Sequence, residues 1–97
     1  MNKYTELSDF EINKKVAEKL GIRFTPRNGV LILSATKLFA PSNNPSDAMP
    51  IIIENGISMV RVNNTWSARK FNNHCIEING DNYYRIAMEV YLLMNGK

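Results

Sequence analysis

The stretch Asn43 to Met59, NNPSDAMPIIIENGISM, constrains the fold more than any other, because it holds a helix start, a helix stop and a change of hydrophobic period. Asn44 followed by Pro45 is a start signature: the Asn side chain accepts a backbone N–H that has no partner, and Pro at the first helical position has no N–H to leave unpaired. Asp47 then falls in the first turn, where negative charge suits the helix dipole. Asn55-Gly56 ends the helix, since glycine adopts the left-handed conformation that helix ends favour. Pro50 predicts a kink if Asn44 is the cap, and a milder effect if Ser46 is. Met49, Ile52 and Ile53 share a face that Ile51 extends, so a deeply packed helix is expected, with the rest of the chain around it.

Upstream, Ser8 with Glu11 forms a capping box, and Leu7 can staple onto Ile12. The helix that follows spans about Asp9 to Leu20, with Ile12, Val16, Ala17 and Leu20 as its apolar stripe and Gly21 as its stop. Glu11 with Lys15 and Lys14 with Glu18 stand four residues apart, so its charges answer one another on a solvated face. IRFTPRNGVLIL reads as a hairpin turning at Asn28-Gly29. Its second run, Val30 to Leu33, is continuously apolar, as in a strand covered on both faces. SATKLFA extends that strand or leads irregularly into the next loop.

After Gly56 the period becomes two. ISMVRV, TWSARK and HCIEI, separated by Asn63-Asn64 and Asn72-Asn73, read as a three-stranded meander. A two-residue turn at Asn63-Asn64 puts Arg61 opposite Trp66 and gathers Ile57, Met59, Trp66 and Ala68 on one buried face. Asp81 can cap a final helix from about Asn82 to Met94, whose Tyr83, Ile86, Ala87, Val90, Tyr91 and Met94 keep helical spacing. The order predicts an α+β fold: one compact domain over residues 1–97, with a mainly antiparallel sheet (the hairpin plus the three-stranded meander) packed with about three helices.

Composition narrows the function classes. The longest apolar run falls far short of the roughly 18 to 20 residues of a membrane span, so no membrane association is expected. MNKYTELSDFEINKK carries acidic residues and no apolar core of a secretory signal, and the single Cys75 fits a reducing cytosol. A net charge of +3, with acidic residues interspersed among the basic ones, mildly favours anionic partners.

Catalytic constellations are sparse. His74 and Cys75 are adjacent, so on a strand they point to opposite faces and cannot pair as base and nucleophile; a half-exposed His beside a small buried thiol is the expected reading. One His and one Cys also supply no zinc spacing, and neither a metal nor a cofactor is expected. Asp47 and Glu54 lie seven residues apart, nearly on one helix face, but helix capping and solvation account for them more simply than acid–base chemistry. Arg61, Trp66, Arg69 and Lys70, with Phe71, combine positive charge and aromatic surface as a nucleic-acid interface would. Against this, Arg69 points away from Lys70, and Trp66 is more economically placed in the core with Arg61 along its edge.

At LSDFEINKKVAEKLG, NNPSDAMPIIIENGIS, Trp66-Ser67-Ala68 and YRIAMEVYLLM the chain resembles the NinX-like family of small phage and prophage proteins. Asn43, Asn44, Pro45, Asp47, Ala48, Pro50, Ile51 and Ile52 carry the family's central signature, with Met49 where members often have Trp. Arg85, Ala87 and Met88 match the family's final helix, and the stretch Gly21 to Ala40 matches least. The resemblance implies an origin more than an activity: a temperate-phage or prophage gene expressed in the cytoplasm of the bacterial host.

The expectation is therefore a non-catalytic phage accessory protein that binds a host or phage protein, with Asn43, Asn44, Ser46 and Asp47 as the candidate interaction loop. Once Asn44, Pro45 and Asp47 are used to start the helix, Asn43 and Ser46 are what the loop leaves for recognition. The alternatives are a nucleic-acid-binding module using Arg61, Trp66, Arg69 and Lys70, and an enzyme using Asp47 with Asn43 or Asn44 on a small ligand.

Overall fold

In a computed structural model, which describes residues 3–71 and 75–95, the local signals become three helices and two three-stranded antiparallel sheets. Helix α1 (Asp9–Leu20) starts at the Ser8 capping box and stops at Gly21, whose φ of 75° is left-handed. Strands β1 (Thr25–Arg27), β2 (Val30–Ser34) and β3 (Lys37–Phe39) form the first sheet in chain order. Asn28 and Gly29 both take positive φ, 52° and 80°, the requirement for a two-residue hairpin turn whose twist matches its strands.

Helix α2 (Pro45–Glu54) is capped by Asn44, with Pro45 at its start and Pro50 inside it. At its end Gly56 N–H donates to the Ile53 carbonyl at 3.2 Å and Ile57 N–H to Ile52 at 3.0 Å, the paired bonds of a Schellman stop. Strands β4 (Ser58–Val62), β5 (Thr65–Phe71) and β6 (Cys75–Gly80) make the second sheet, and α3 (Tyr83–Asn95) closes the fold. Arg61 pairs with Trp66 and Met59 with Ala68, the register expected from a turn at Asn63-Asn64. Ile57 and Ala68 are buried, and Met59, Trp66, Ile76 and Ile78 pack against the core from the same sheet face. The Asn72-Asn73 turn and His74 lie outside the described residues.

The organising element is α3 and not α2. Residues Ile86 to Leu92 of α3 are all buried, because the helix lies across β5 and β6 and also packs against α1 and α2. A helix enclosed on every side needs no polar face, which explains the near-continuous apolar run IAMEVYLL. The core joins Ile12, Val16 and Ala17 of α1, Leu31 and Phe39 of the first sheet, and Ala48, Ile51 and Ile52 of α2 to this helix.

Five expectations change. The lead SATKLFA is a turn at Ala35-Thr36 followed by β3, so the hairpin gains a third strand. Val30 to Leu33 is covered on one face only: Leu31 is buried opposite Phe39, whereas Val30 is exposed. Ile53 is 69% exposed, because Ala48, Ile51 and Ile52 already fill the side of α2 that meets the core. Cys75, expected to be buried, is exposed, since it stands opposite the exposed Phe71 on the sheet face turned away from α3. The charges of α1 also behave differently: neither Glu11 and Lys15 nor Lys14 and Glu18 closes to an ion pair, and the four line a shallow depression.

Candidate functional site

The starts of all three helices meet at one corner, and Asn43 joins them. Its Nδ2 donates to Asp9 Oδ2 at 3.1 Å at the head of α1, and its Oδ1 accepts from Asn82 Nδ2 at 3.4 Å at the head of α3. The neighbouring Asn44 caps α2, accepting the Ser46 N–H at 2.9 Å. Asn82, and not Asp81, caps α3: its Oδ1 accepts from the N–H groups of Tyr84 and Arg85 at 3.1 and 3.0 Å. The expected cap was one residue early, because either residue type at that point satisfies the same local pattern.

Behind the corner stands Arg85. Its Nη1 donates to Asp9 Oδ1 at 2.6 Å, its Nε to Glu89 Oε2 at 2.6 Å, and its Nη2 to the carbonyls of Tyr4 at 3.0 Å and Leu7 at 2.8 Å. The guanidinium therefore ties the segment before α1 to α3. Burial pulls the Arg85 pKa down, but hydrogen bonds to Asp9 and Glu89 and the charge of both carboxylates outweigh it and hold the group above its ordinary value.

The rest of the loop is braced from below. Ser42 N–H donates to the buried Asn13 at 2.8 Å, and Asp47 Oδ2 accepts the Ala40 N–H at 2.9 Å, with Lys37 Nζ 3.9 Å from its other oxygen. Asp47 is thus buried and occupied in holding the loop to α2, while Glu54 is exposed at the other end of the helix. Asn43, Asn44 and Ser46 are exposed. Together they offer amide and hydroxyl groups on a braced loop, a surface suited to hydrogen-bonded recognition.

The second candidate group is divided between two sheet faces. Arg61, Trp66 and Lys70 share the face toward α3 by register, whereas Arg69 is on the other, where it meets Glu77 at 3.4 Å and donates to Ser67 Oγ at 3.0 Å. Trp66 is half-buried against the core, with the Arg61 guanidinium 5.2 Å from its ring centroid. It meets Tyr83 edge-on at 4.8 Å, and Tyr83 meets Tyr84 at 4.9 Å. Reading Tyr83 only as a packing residue missed this row, since it arises where β5 crosses the head of α3. Arg85 and Glu89 had a visible signal: opposite charges four apart inside an apolar helix stripe.

Among the described residues there is no group of three or more His, Cys, Asp or Glu able to hold a metal ion, and no helix is long and apolar enough to cross a membrane. The molecule is a small α+β protein in which three helix starts present a polar corner to solvent. The chain belongs to the family described as Bacteriophage P22, NinX, which matches residues 3–95. Comparison with curated proteins and with solved structures gives no match.

Proposed function

We propose that this phage-family protein is a non-catalytic accessory factor that acts in the bacterial cytoplasm by binding a host or phage protein. The contact surface is Asn43, Asn44 and Ser46 at the corner where the three helices begin. The observation that carries this reading is the bridge from Asn43 to both Asp9 and Asn82, which holds an exposed polar loop in one geometry before any partner arrives. A loop ordered in advance loses little conformational freedom on binding. Affinity capture from a lysate of the host tests it: a protein retained by the wild type should be lost with Asn43→Ala plus Ser46→Ala, while the thermal midpoint stays nearly unchanged. Recovery of nothing, or of the same proteins by the variant, refutes it.

The alternative of nucleic-acid binding draws its support from the row Arg61, Trp66, Tyr83 and Tyr84, in which a cation and aromatic rings adjoin. Affinity for a single strand should then fall steeply with salt. A flat titration at low salt removes this reading.

A further inference from the structure

The protein's positive charge is concentrated around the first sheet. Between Glu18 and Asp47 the chain carries Lys19, Arg23, Arg27 and Lys37 and no carboxylate, so the net charge of +3 originates in this segment. All four cations are exposed. Lys37 reaches toward Asp47, whereas Lys19, Arg23 and Arg27 have no ion-pair partner among the described residues.

Beside Arg23 and Arg27 lies apolar surface of the first sheet that is not part of the buried core. By register Arg27 pairs with Val30, Thr25 with Ile32, and Ile32 with Leu38, so these side chains share the sheet face opposite Leu31 and Phe39. Among the described residues no helix covers that face: Val30 is 41% and Leu38 54% exposed. It continues into a cleft of about 540 Å³ whose apolar lining is Ile22, Phe24, Ile32 and Leu33, with Arg23 and Glu18 also on its walls. An apolar strip flanked by unpaired cations is complementary to a chain segment that alternates aliphatic side chains with carboxylates.

We infer that the outer face of the first sheet, with the cleft beside α1, docks an acidic, aliphatic-rich segment of a partner protein. Aliphatic groups enter the cleft and cover Val30 and Leu38, and carboxylates meet Arg23 and Arg27. Nucleic acid is the weaker occupant, because phosphates gain nothing from exposed Val30 and Leu38, and the one aromatic ring described on this surface, Phe24, is half-buried in the cleft. This surface is separate from the Asn43 corner, and either can fail without the other.

A peptide-display library of random twelve-residue sequences, selected on the full chain and then screened against Arg23→Glu/Arg27→Glu/Leu38→Ser, tests the inference. All three substituted side chains are exposed, so the fold should be retained, and a matching far-ultraviolet circular dichroism spectrum checks this. Selected peptides should be rich in Asp or Glu together with Leu, Ile or Val. Labelled synthetic copies should bind the triple variant at least tenfold more weakly, and bind Asn43→Ala/Ser46→Ala as they bind wild type. Peptides without acidic enrichment, equal binding to the triple variant, or sensitivity to the Asn43 and Ser46 changes alone would overturn it. So would tighter binding of a single-stranded oligonucleotide at the same salt, or a wild-type dimer dissolved by Leu38→Ser with no peptide selected.

Discussion

Replacing Arg85 with methionine keeps a long flexible side chain in α3 but deletes the charge that joins its start to the N-terminal segment. The Arg85 side chain is 13% exposed and that of Glu89 7%, so their 2.6 Å pair is largely withdrawn from water, whereas Asp9 is 43% exposed. Breaking a buried pair from one side costs about 3–5 kcal/mol, an exposed pair contributes about 0.2–1 kcal/mol, and each lost carbonyl contact adds about 1 kcal/mol. Because the Asp9 end of the network is exposed and water can replace the guanidinium there, we expect a net loss of about 3–4 kcal/mol, near the lower limit for the buried pair. In a domain of this size that lowers the midpoint by roughly 12–30 °C. Urea titrations followed by circular dichroism read the loss directly, and Arg85→Met/Glu89→Met separates its cause. If the penalty comes from a carboxylate stripped of its guanidinium, the double variant should be more stable than Arg85→Met alone. A single variant within about 1 kcal/mol of wild type would refute the reasoning.

Gly80 faces α3 opposite Trp66, and a Cβ there would stand 2.8 Å from the Ile86 Cγ2, so Gly80→Ala should destabilise by about 1–3 kcal/mol in chemical denaturation, with less than additive loss when combined with Ile86→Ala. Asn82→Ala should cost about 1 kcal/mol and Asp81→Ala under about 0.5 kcal/mol, an order that would reverse if Asp81 were the cap. Burial pushes the Tyr91 phenol above its ordinary value, which favours the neutral form in the folded chain. Below about pH 10 both states hold the proton; above it the unfolded chain ionises first, so stability falls as pH rises toward the folded pKa. Tyr91→Phe should flatten that alkaline decline in a series of urea titrations, and an unchanged slope would show that another group carries it.

What could be read before folding was local. The Ser8 box, the Asn44-Pro45 start, the Gly56 stop and the Asn63-Asn64 register each depend on residues within a few positions of one another, and each stands in the structure as read. Failures occurred where a local pattern was ambiguous or too short. Strand β3 has three residues and turns at Ala35-Thr36, a pair with no glycine, asparagine or proline to mark it. Ile53 belongs to an apolar run whose members cannot be ranked by spacing alone, and only the position of α3 decides which of them meets the core. Asp81 and Asn82 are both good caps, and the choice depends on where α3 lands against β6.

The corner itself lay beyond local reading, because it is made by contacts across most of the chain. Asp9 meets Arg85 across 76 positions, and Asn43 meets Asn82 across 39. Capping logic treats Asn44 and Asp47 as servants of α2, which is correct, and on that account the loop holds little beyond a helix start. Tertiary contact adds the part that capping omits: the residue just before the cap, Asn43, is the one that leaves α2 and ties the other two helix starts together. Asp47, bonded to Ala40 N–H and facing Lys37, holds the loop from the inside, so on the proposed function the exposed residues that would meet a partner are Asn43, Asn44 and Ser46. On that proposal stability and recognition separate within five consecutive residues. A substitution at Asp47 should be read in unfolding experiments and one at Ser46 in binding experiments. Asn43, exposed yet bonded to two helices, should register weakly in the first and strongly in the second.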